Sequence, residues 1–473
     1  MQDKKVWGAI LILGITFQIL ASAVMPIGLD GHIHATYVSD EIADGDASLD
    51  WGEVRNDGSN YSTPTEVSAD DRWGFWHFLI GVWFSVLGIN TFTLHLLSLT
   101  ITFSCLALVF LLTKKISSNE NALALTAIVS IYSPLVRATG RMYQENLILM
   151  LSAVTIYSLI MIWRKNKQII WPILGLLCLS AAISTKGLPA YLGAILFIPV
   201  ALMAHKNISL KPLNYGTICL STFVLSVIFS YYRVGEITIE IFYFYLVTIL
   251  VGGGIYLLLG GFLFSTKPTK SNQESDFVLI ICQGIFAVIG AYIVMLLTVE
   301  MNSLQYSATK TAEEFTYIFR YLTVLIVPLW WSFLLKEKTE ITFGSNDKKY
   351  AMSYILALII ALNLIILQTT GGVEKVGHEI ADGIEDDDAI LYISETSHSM
   401  HRLYTLQITT DPNHDKNVTG YWAHENYNWS HLIDDLGIDW VIISQGSHSY
   451  LDDSWIEQNS DTEYSVFKKA TTV

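Results

Sequence analysis

The stretch Gly28-Leu29-Asp30-Gly31-His32-Ile33-His34 sets one carboxylate and two imidazoles side by side directly after a long apolar run, and Tyr37-Val38-Ser39-Asp40-Glu41 follows it. A carboxylate at the end of a membrane helix, facing a cavity, can serve as a general base whose pKa is set by burial and neighbours. His32 and His34 could orient such a base or share a divalent metal with it. The plainer reading makes Asp30 a helix cap and the remainder a solvated acidic loop.

Three other places set charge at the ends of apolar runs. They are Arg137-Ala138-Thr139-Gly140-Arg141-Met142-Tyr143-Gln144-Glu145, then Thr185-Lys186-Gly187-Leu188-Pro189, and Phe319-Arg320-Tyr321. A lone cation at a membrane boundary ordinarily snorkels to the interface. Several on one face suit a lipid phosphate, which needs convergent cations and to which Arg offers bidentate donors. Glu145, four residues after Arg141, reads as its ion-pair partner on a helix or as a carboxylate for a metal, with the ion pair preferred.

These residues must be positioned by membrane helices. The chain has 473 residues, 52% of them hydrophobic and 15% charged, and a mean hydropathy of +0.43. The apolar residues fall in blocks long enough to cross the hydrocarbon layer as helices, which excludes an ordinary soluble enzyme. We place about eleven spans, near 6–27, 93–113, 121–137, 143–163, 169–184, 187–204, 213–231, 241–264, 277–298, 321–335 and 350–369. The first reads as a retained helix and not a cleaved signal, because its apolar run is long. Threading alternate connections puts Lys4, Lys5, Lys114, Lys115, Arg164, Lys165, Lys167, Lys206, Lys211, Lys267, Lys270, Lys336, Lys338, Lys348 and Lys349 on one side, 15 of the 28 basic residues and all in short segments. By the positive-inside rule the N-terminus is cytoplasmic and the C-terminus external.

Two polar regions then lie outside. Residues 28–74 are strongly acidic, and Trp73 to Asn90, apolar and aromatic, is expected to lie in the interface within a membrane domain spanning 1–370. Residues 371–473 read as a small α/β domain, with strand-like runs Ala389–Ser394 and Trp440–Ser444 alternating with a helical run at His431–Leu436. A net charge of −15 argues against nucleic acid or anionic lipid as main partner. Cys105, Cys178, Cys219 and Cys282 all fall in predicted spans and form no disulfide framework or metal cluster by spacing. Sequons at Asn60, Asn417 and Asn428 fall on the outer side. Tyr421, Trp422, Tyr427 and Trp429 with His424 serve either to stack on sugar rings or as the small domain's own core.

The order of these features resembles the GT-C class of membrane glycosyltransferases, in particular the protein O-mannosyltransferase and aminoarabinose-transferase branch. The motifs that carry the resemblance are an Asp directly after the first helix (Asp30, or Asp40-Glu41), Leu87-Gly88-Ile89-Asn90-Thr91-Phe92-Thr93-Leu94-His95-Leu96-Leu97-Ser98, the Lys186-Gly187 turn, and Arg320-Tyr321-Leu322 through Pro328. His95 stands where Arg is common in that branch, and the W-W-D-Y-G signature of oligosaccharyltransferases is absent. The resemblance implies an α-helical polytopic fold and an inverting glycosyltransferase, moving a hexose or pentose from a polyprenyl-phosphate donor to a protein, lipid or glycan acceptor outside the membrane.

By that analogy Asp30, or failing it Asp40 or Glu41, takes the proton of the acceptor hydroxyl. Arg141, Lys186 and Arg320 with Tyr321 hold the donor phosphate, while His32, His34 and Glu145 support them. No nucleotide sugar is expected, and a divalent metal is the one cofactor the pattern leaves open. The rival readings are a transporter or flippase of lipid-linked sugars, which would show matched halves with helices broken at mid-membrane, and a non-catalytic membrane binding protein.

Overall fold

In the computed structural model, residues 2–43, 45, 54–55, 61–62, 74–164, 168–186, 211–261, 272–303, 319–336, 341, 346–368, 372–394, 402–425, 429–444, 451–460 and 464–470 are described. The chain packs as two units, one of residues 1–19, 100–139 and 144–366, the other of residues 20–99, 140–143 and 367–473. The predicted span 187–204, the sequons at Asn60 and Asn428, Tyr427 and most of the acidic loop lie outside the described residues.

The elements are α1 (Gln2–Val24), α2 (Leu29–Ala43), the short strands β1 (Val54–Arg55) and β2 (Tyr61–Ser62), α3 (Phe75–Leu87), α4 (Thr91–Ile116), α5 (Asn119–Ser130), α6 (Ser133–Gly140), α7 (Glu145–Trp163) and α8 (Ile170–Thr185). Further along come α9 (Tyr215–Val234), α10 (Glu240–Gly261), α11 (Gln273–Ser303), a 3-10 turn (Phe319–Leu325), α12 (Ile326–Leu334) and α13 (Asn346–Ile366). Among the described residues five helices are long and apolar enough to cross a membrane: Lys4–Val24, Thr91–Ile116, Glu145–Trp163, Gly216–Arg233 and Gln273–Thr298. The pair α5 and α6, bent by 58°, makes a sixth if it is one span. Shorter apolar helices at Ile170–Thr185, Glu240–Leu250, Arg320–Leu334 and Ser353–Ile366 fall on four of the other predicted spans, and another, Phe75–Leu87, falls on the stretch expected in the interface.

In the first unit α7 and α11 are apolar all round and buried for most of their length, as interior helices must be. By contrast α9 and α10 turn Leu220, Ile228, Tyr232, Phe242, Leu246 and Leu250 outward, a surface suited to acyl chains and not to water. The bend between α5 and α6 comes where Pro134 enters the first turn of α6, a position at which its missing N–H costs nothing. The break leaves carbonyls without helical partners. Gln18 Nε2 donates to Ser130 O at 2.9 Å, and Asn363 Nδ2 to Ile131 O at 2.9 Å. Thr139 Oγ1 in turn donates to Gln18 Oε1 at 2.6 Å and lies 2.8 Å from Thr102 Oγ1, which accepts from Asn146 Nδ2 at 3.2 Å, so Ser130, Gln18, Thr139, Thr102 and Asn146 form one internal network. A side chain at Gly14 would collide with Ser130, which is why α1 carries glycine there.

The second unit is built on a seven-stranded sheet, order β2-β1-β4-β3-β5-β7-β6, with β3 (Ala389–Ser394), β4 (Thr419–His424), β5 (Trp440–Ser444), β6 (Trp455–Ser460) and β7 (Tyr464–Lys469). Strands β3, β4 and β5 are parallel, joined through α15 (Arg402–Thr410) and α16 (Ser430–Asp435), with β6 and β7 antiparallel at one edge. The run Ala389-Ile390-Leu391-Tyr392-Ile393 is buried throughout, as befits a central parallel strand covered on both faces. On one face Ile390 and Tyr392 pack with Leu403, Leu406 and, from α14 (Gly372–Ala381), Val376 and Ile380. On the other, Leu391 and Ile393 pack with Trp429, Leu432 and Ile433. The expected α/β tail is therefore present, and β1 and β2, supplied by the loop after α2, extend its sheet beside β4.

Candidate active site

In the second unit, Met25 to Gly28 form a buried linker between α1 and α2. Met25 N–H donates to Ala21 O at 3.1 Å, and Gly28 N–H to Arg141 O at 2.9 Å, in the turn that separates α6 from α7. Pro26 has no N–H to place. Glycine is required at 28, because a Cβ there would run into the Tyr143 ring. This linker delivers Asp30 to the first turn of α2, half-buried, where the positive end of the helix dipole favours a carboxylate.

Two residues on, His32 is fully buried, with Nε2 3.4 Å from Glu374 Oε2. Burial holds its imidazole below the usual histidine range, against the opposing pull of Glu374. The same Glu374 oxygen accepts the Ile27 N–H at 2.6 Å. His34 Nδ1 meets His77 Nε2 at 2.9 Å, while His77 Nδ1 faces the Gly74 N–H at 3.1 Å. Because His77 Nδ1 accepts, its proton sits on Nε2 and is donated to His34.

Asp40 and Glu41 lie at the far end of α2, about 15 Å from Asp30 at 1.5 Å of rise per residue. Asp40 is fully buried, with Oδ1 2.8 Å from His414 Nε2 and accepting from Gln407 Nε2 at 2.9 Å. Glu41 is exposed. Thr36 Oγ1 donates to Tyr404 O at 2.9 Å, and Ser39 Oγ donates to Pro412 O, so the second half of α2 is fastened along α15 and the loop after it.

In the first unit, Glu145 opens α7 and is buried. Its Oε1 lies 3.0 Å from Lys186 Nζ and 3.1 Å from Arg320 Nε, so two cations converge on one carboxylate oxygen. Tyr321 lies against both, its ring centroid 4.4 Å from Lys186 Nζ and 5.4 Å from Arg320 Cζ, and it meets the Tyr292 ring at 5.7 Å. A carboxylate at a helix N-terminus, two cations and a π face hold one another in a low-dielectric setting, where charge interactions weigh more than in water.

Residues 75–232 match the family described as dolichyl-phosphate-mannose-protein mannosyltransferase. No curated protein matches the chain by sequence. Among solved structures, ArnT from Cupriavidus metallidurans in the apo state aligns over 98% of this chain and 98% of its own, with a TM-score of 0.54 at 12% identity. The fold is that of ArnT. The same protein bound to undecaprenyl phosphate aligns over 99% of this chain and 98% of its own, with a TM-score of 0.51 at 11% identity. Alignment over nearly the whole of both chains extends the ArnT likeness through the tail as well as the helices, and the chain is a multi-pass membrane protein with the GT-C architecture that its motifs resemble.

Within this ArnT fold, Lys186, Arg320, Tyr321 and Glu145 come together, although they lie far apart in sequence. Arg141 and Glu145 do not share the expected helix: α6 ends at Gly140 and α7 begins at Glu145, with Met142 between them at φ 56°, so no single helix face carries both. Glu145 pairs with Lys186 and Arg320. Trp422 and Trp429 are buried in the tail's core, which removes them from sugar stacking. Among the described residues no group of three or more His, Cys, Asp or Glu is placed to hold a metal. Glu374, Gln407 and His414 were not singled out in the sequence, and His77 stood out only as part of the interfacial stretch Trp73 to Asn90. The first three lie in segments with no motif of their own, and only the fold brings all four to α2.

Proposed function

We propose that the chain is an inverting glycosyltransferase that moves a hexose or pentose from a polyprenyl-phosphate donor to an acceptor hydroxyl on the external side of the membrane, with the N-terminus cytoplasmic and residues 371–473 external. The convergence of Lys186 and Arg320 on Glu145, with Tyr321 against both, carries this reading. Leaving-group charge develops on the phosphate as the bond from the anomeric carbon to the phosphate oxygen breaks, and cations fixed in a low-dielectric site stabilise it without reorganising. Lys186 and Arg320 fill that role, Glu145 and Tyr321 keep them in place, and Arg141 is a further donor to the phosphate. The acceptor oxygen attacks the anomeric carbon from the opposite face, its proton passes to a carboxylate, and polyprenyl phosphate leaves with the electron pair of the broken bond.

Asp30 is the carboxylate that takes the proton. It is half-buried at a helix N-terminus, whereas Asp40 is committed to His414 and Gln407 and Glu41 is exposed. The family match at residues 75–232 and the ArnT structure bound to undecaprenyl phosphate support a lipid-phosphate donor. Binding of undecaprenyl phosphate to purified wild type, Lys186→Ala and Arg320→Ala tests the assignment. Loss of one charge-assisted hydrogen bond, worth about 1.5–3 kcal/mol, weakens the Kd by roughly 10- to 100-fold. Unchanged affinity in both variants contradicts it.

A further inference from the structure

Every N–H of the buried linker that sets the start of α2 has a partner, and they are of two kinds. Those of Met25 and Gly28 are held by backbone carbonyls, Ala21 O and Arg141 O. That of Ile27 is held by a side chain from the other end of the sequence, Glu374 Oε2 at 2.6 Å. Glu374 sits in the first turn of α14, its side chain 12% exposed, and the same oxygen faces the fully buried His32 one turn into α2. A single carboxylate thus touches the chain on both sides of Asp30, before the helix begins and after its first turn. A charged acceptor on a buried N–H is among the stronger hydrogen bonds, and a buried amide stripped of its acceptor bears the full desolvation cost. Thr91 Oγ1 contacts His378 Nε2, one turn along α14 from Glu374, at 3.2 Å, so α14 is also fastened to the start of α4.

We infer that Glu374 is the positioning residue for Asp30, holding the Met25–Gly28 linker so that the carboxylate is presented at one fixed place. This rests on the assignment of Asp30 as the proton acceptor. The chain after residue 367 then does more than add a soluble domain, because its first helix sets the geometry of a residue in the first turn of α2. Displacing a reacting group by about 1 Å costs on the order of 100-fold in rate.

The test uses the full chain in detergent with Glu374→Ala, Glu374→Gln and Asp30→Asn. The readouts are hydrogen exchange of the peptide spanning residues 25–31, thermal stability, and steady-state transfer from dolichyl-phosphate mannose. Glutamine keeps a carbonyl acceptor for the Ile27 N–H, so Glu374→Gln retains slow exchange and most of kcat. Glu374→Ala exchanges faster at 25–31 and loses about 10- to 100-fold in kcat with an unchanged KM for donor. Wild-type exchange in Glu374→Ala, or wild-type kcat in that variant while Asp30→Asn is inactive, overturns the inference. Full activity of Asp30→Asn overturns the assignment of Asp30 instead. If wild type does not transfer mannose, the mannose donor is wrong, and the exchange contrast between Glu374→Ala and Glu374→Gln alone decides whether Glu374 holds the linker.

Discussion

At Glu145 two cations meet one carboxylate oxygen in a buried setting, and that geometry makes the residue's stability effect large. Removing one partner of a buried charge pair costs about 3–5 kcal/mol, because the charges left behind lose their compensation. Glu145→Gln is therefore expected to lower the denaturation midpoint strongly, whereas Glu41→Gln, at an exposed position, changes stability by less than about 0.5 kcal/mol and barely moves the midpoint. Thermal unfolding in detergent, followed by tryptophan fluorescence, checks both. His32 gives a pH signature. Its folded-state pKa lies below the unfolded value of about 6.5, so the unfolded chain binds more protons in that window. Stability is thus fully present above about pH 6.5 and is lost as pH falls toward the folded-state value. Replacing His32 with Gln is expected to flatten that acid-side loss, and melting curves across pH 5 to 8 would show the unchanged slope that contradicts it.

Among the elements, the bend between α5 and α6 depends on side chains of other helices for its backbone hydrogen bonds. Gln18→Leu leaves the Ser130 carbonyl without its donor and costs about 1–3 kcal/mol, more than the same change at an exposed helix position. A Cβ at Gly14 collides with Ser130, so Gly14→Val is expected to disrupt folding outright, and yield of monodisperse protein reads the difference. Helix existence was legible in sequence because apolar blocks announce themselves. The bend was not legible, since 121–137 reads as one continuous apolar block and only Pro134 marks a break whose carbonyls take their donors from Gln18 and Asn363. The tail's strands were legible at Ala389–Ser394 and Trp440–Ser444, where runs of β-branched and aromatic residues are buried on both faces. The pairing of β1 with β4 was invisible, because two-residue strands carry no periodicity.

Taken as a whole molecule, the chain shows which part of a site can be read along a sequence. Charges at helix ends and a carboxylate after the first span stand out locally, and Lys186, Arg320, Tyr321 and Glu145 do converge. The spacing of four between Arg141 and Glu145 is not a helical spacing, because no single helix carries both residues. Glu374 could not have been found, as its partner Ile27 lies at the opposite end of the chain. Alignment with ArnT along nearly the full length shows the same fold through helices and tail. The central claim is that Asp30 accepts the acceptor proton in a lipid-phosphate-dependent transfer, and transfer from dolichyl-phosphate mannose by wild type and Asp30→Asn tests it most directly, with undecaprenyl phosphate binding measured on the same samples. Asp30→Asn is expected to lose about 100-fold or more in kcat, within the general-base range of 10²–10⁴, while keeping wild-type affinity for the lipid phosphate. Equal turnover in the two proteins would contradict the account.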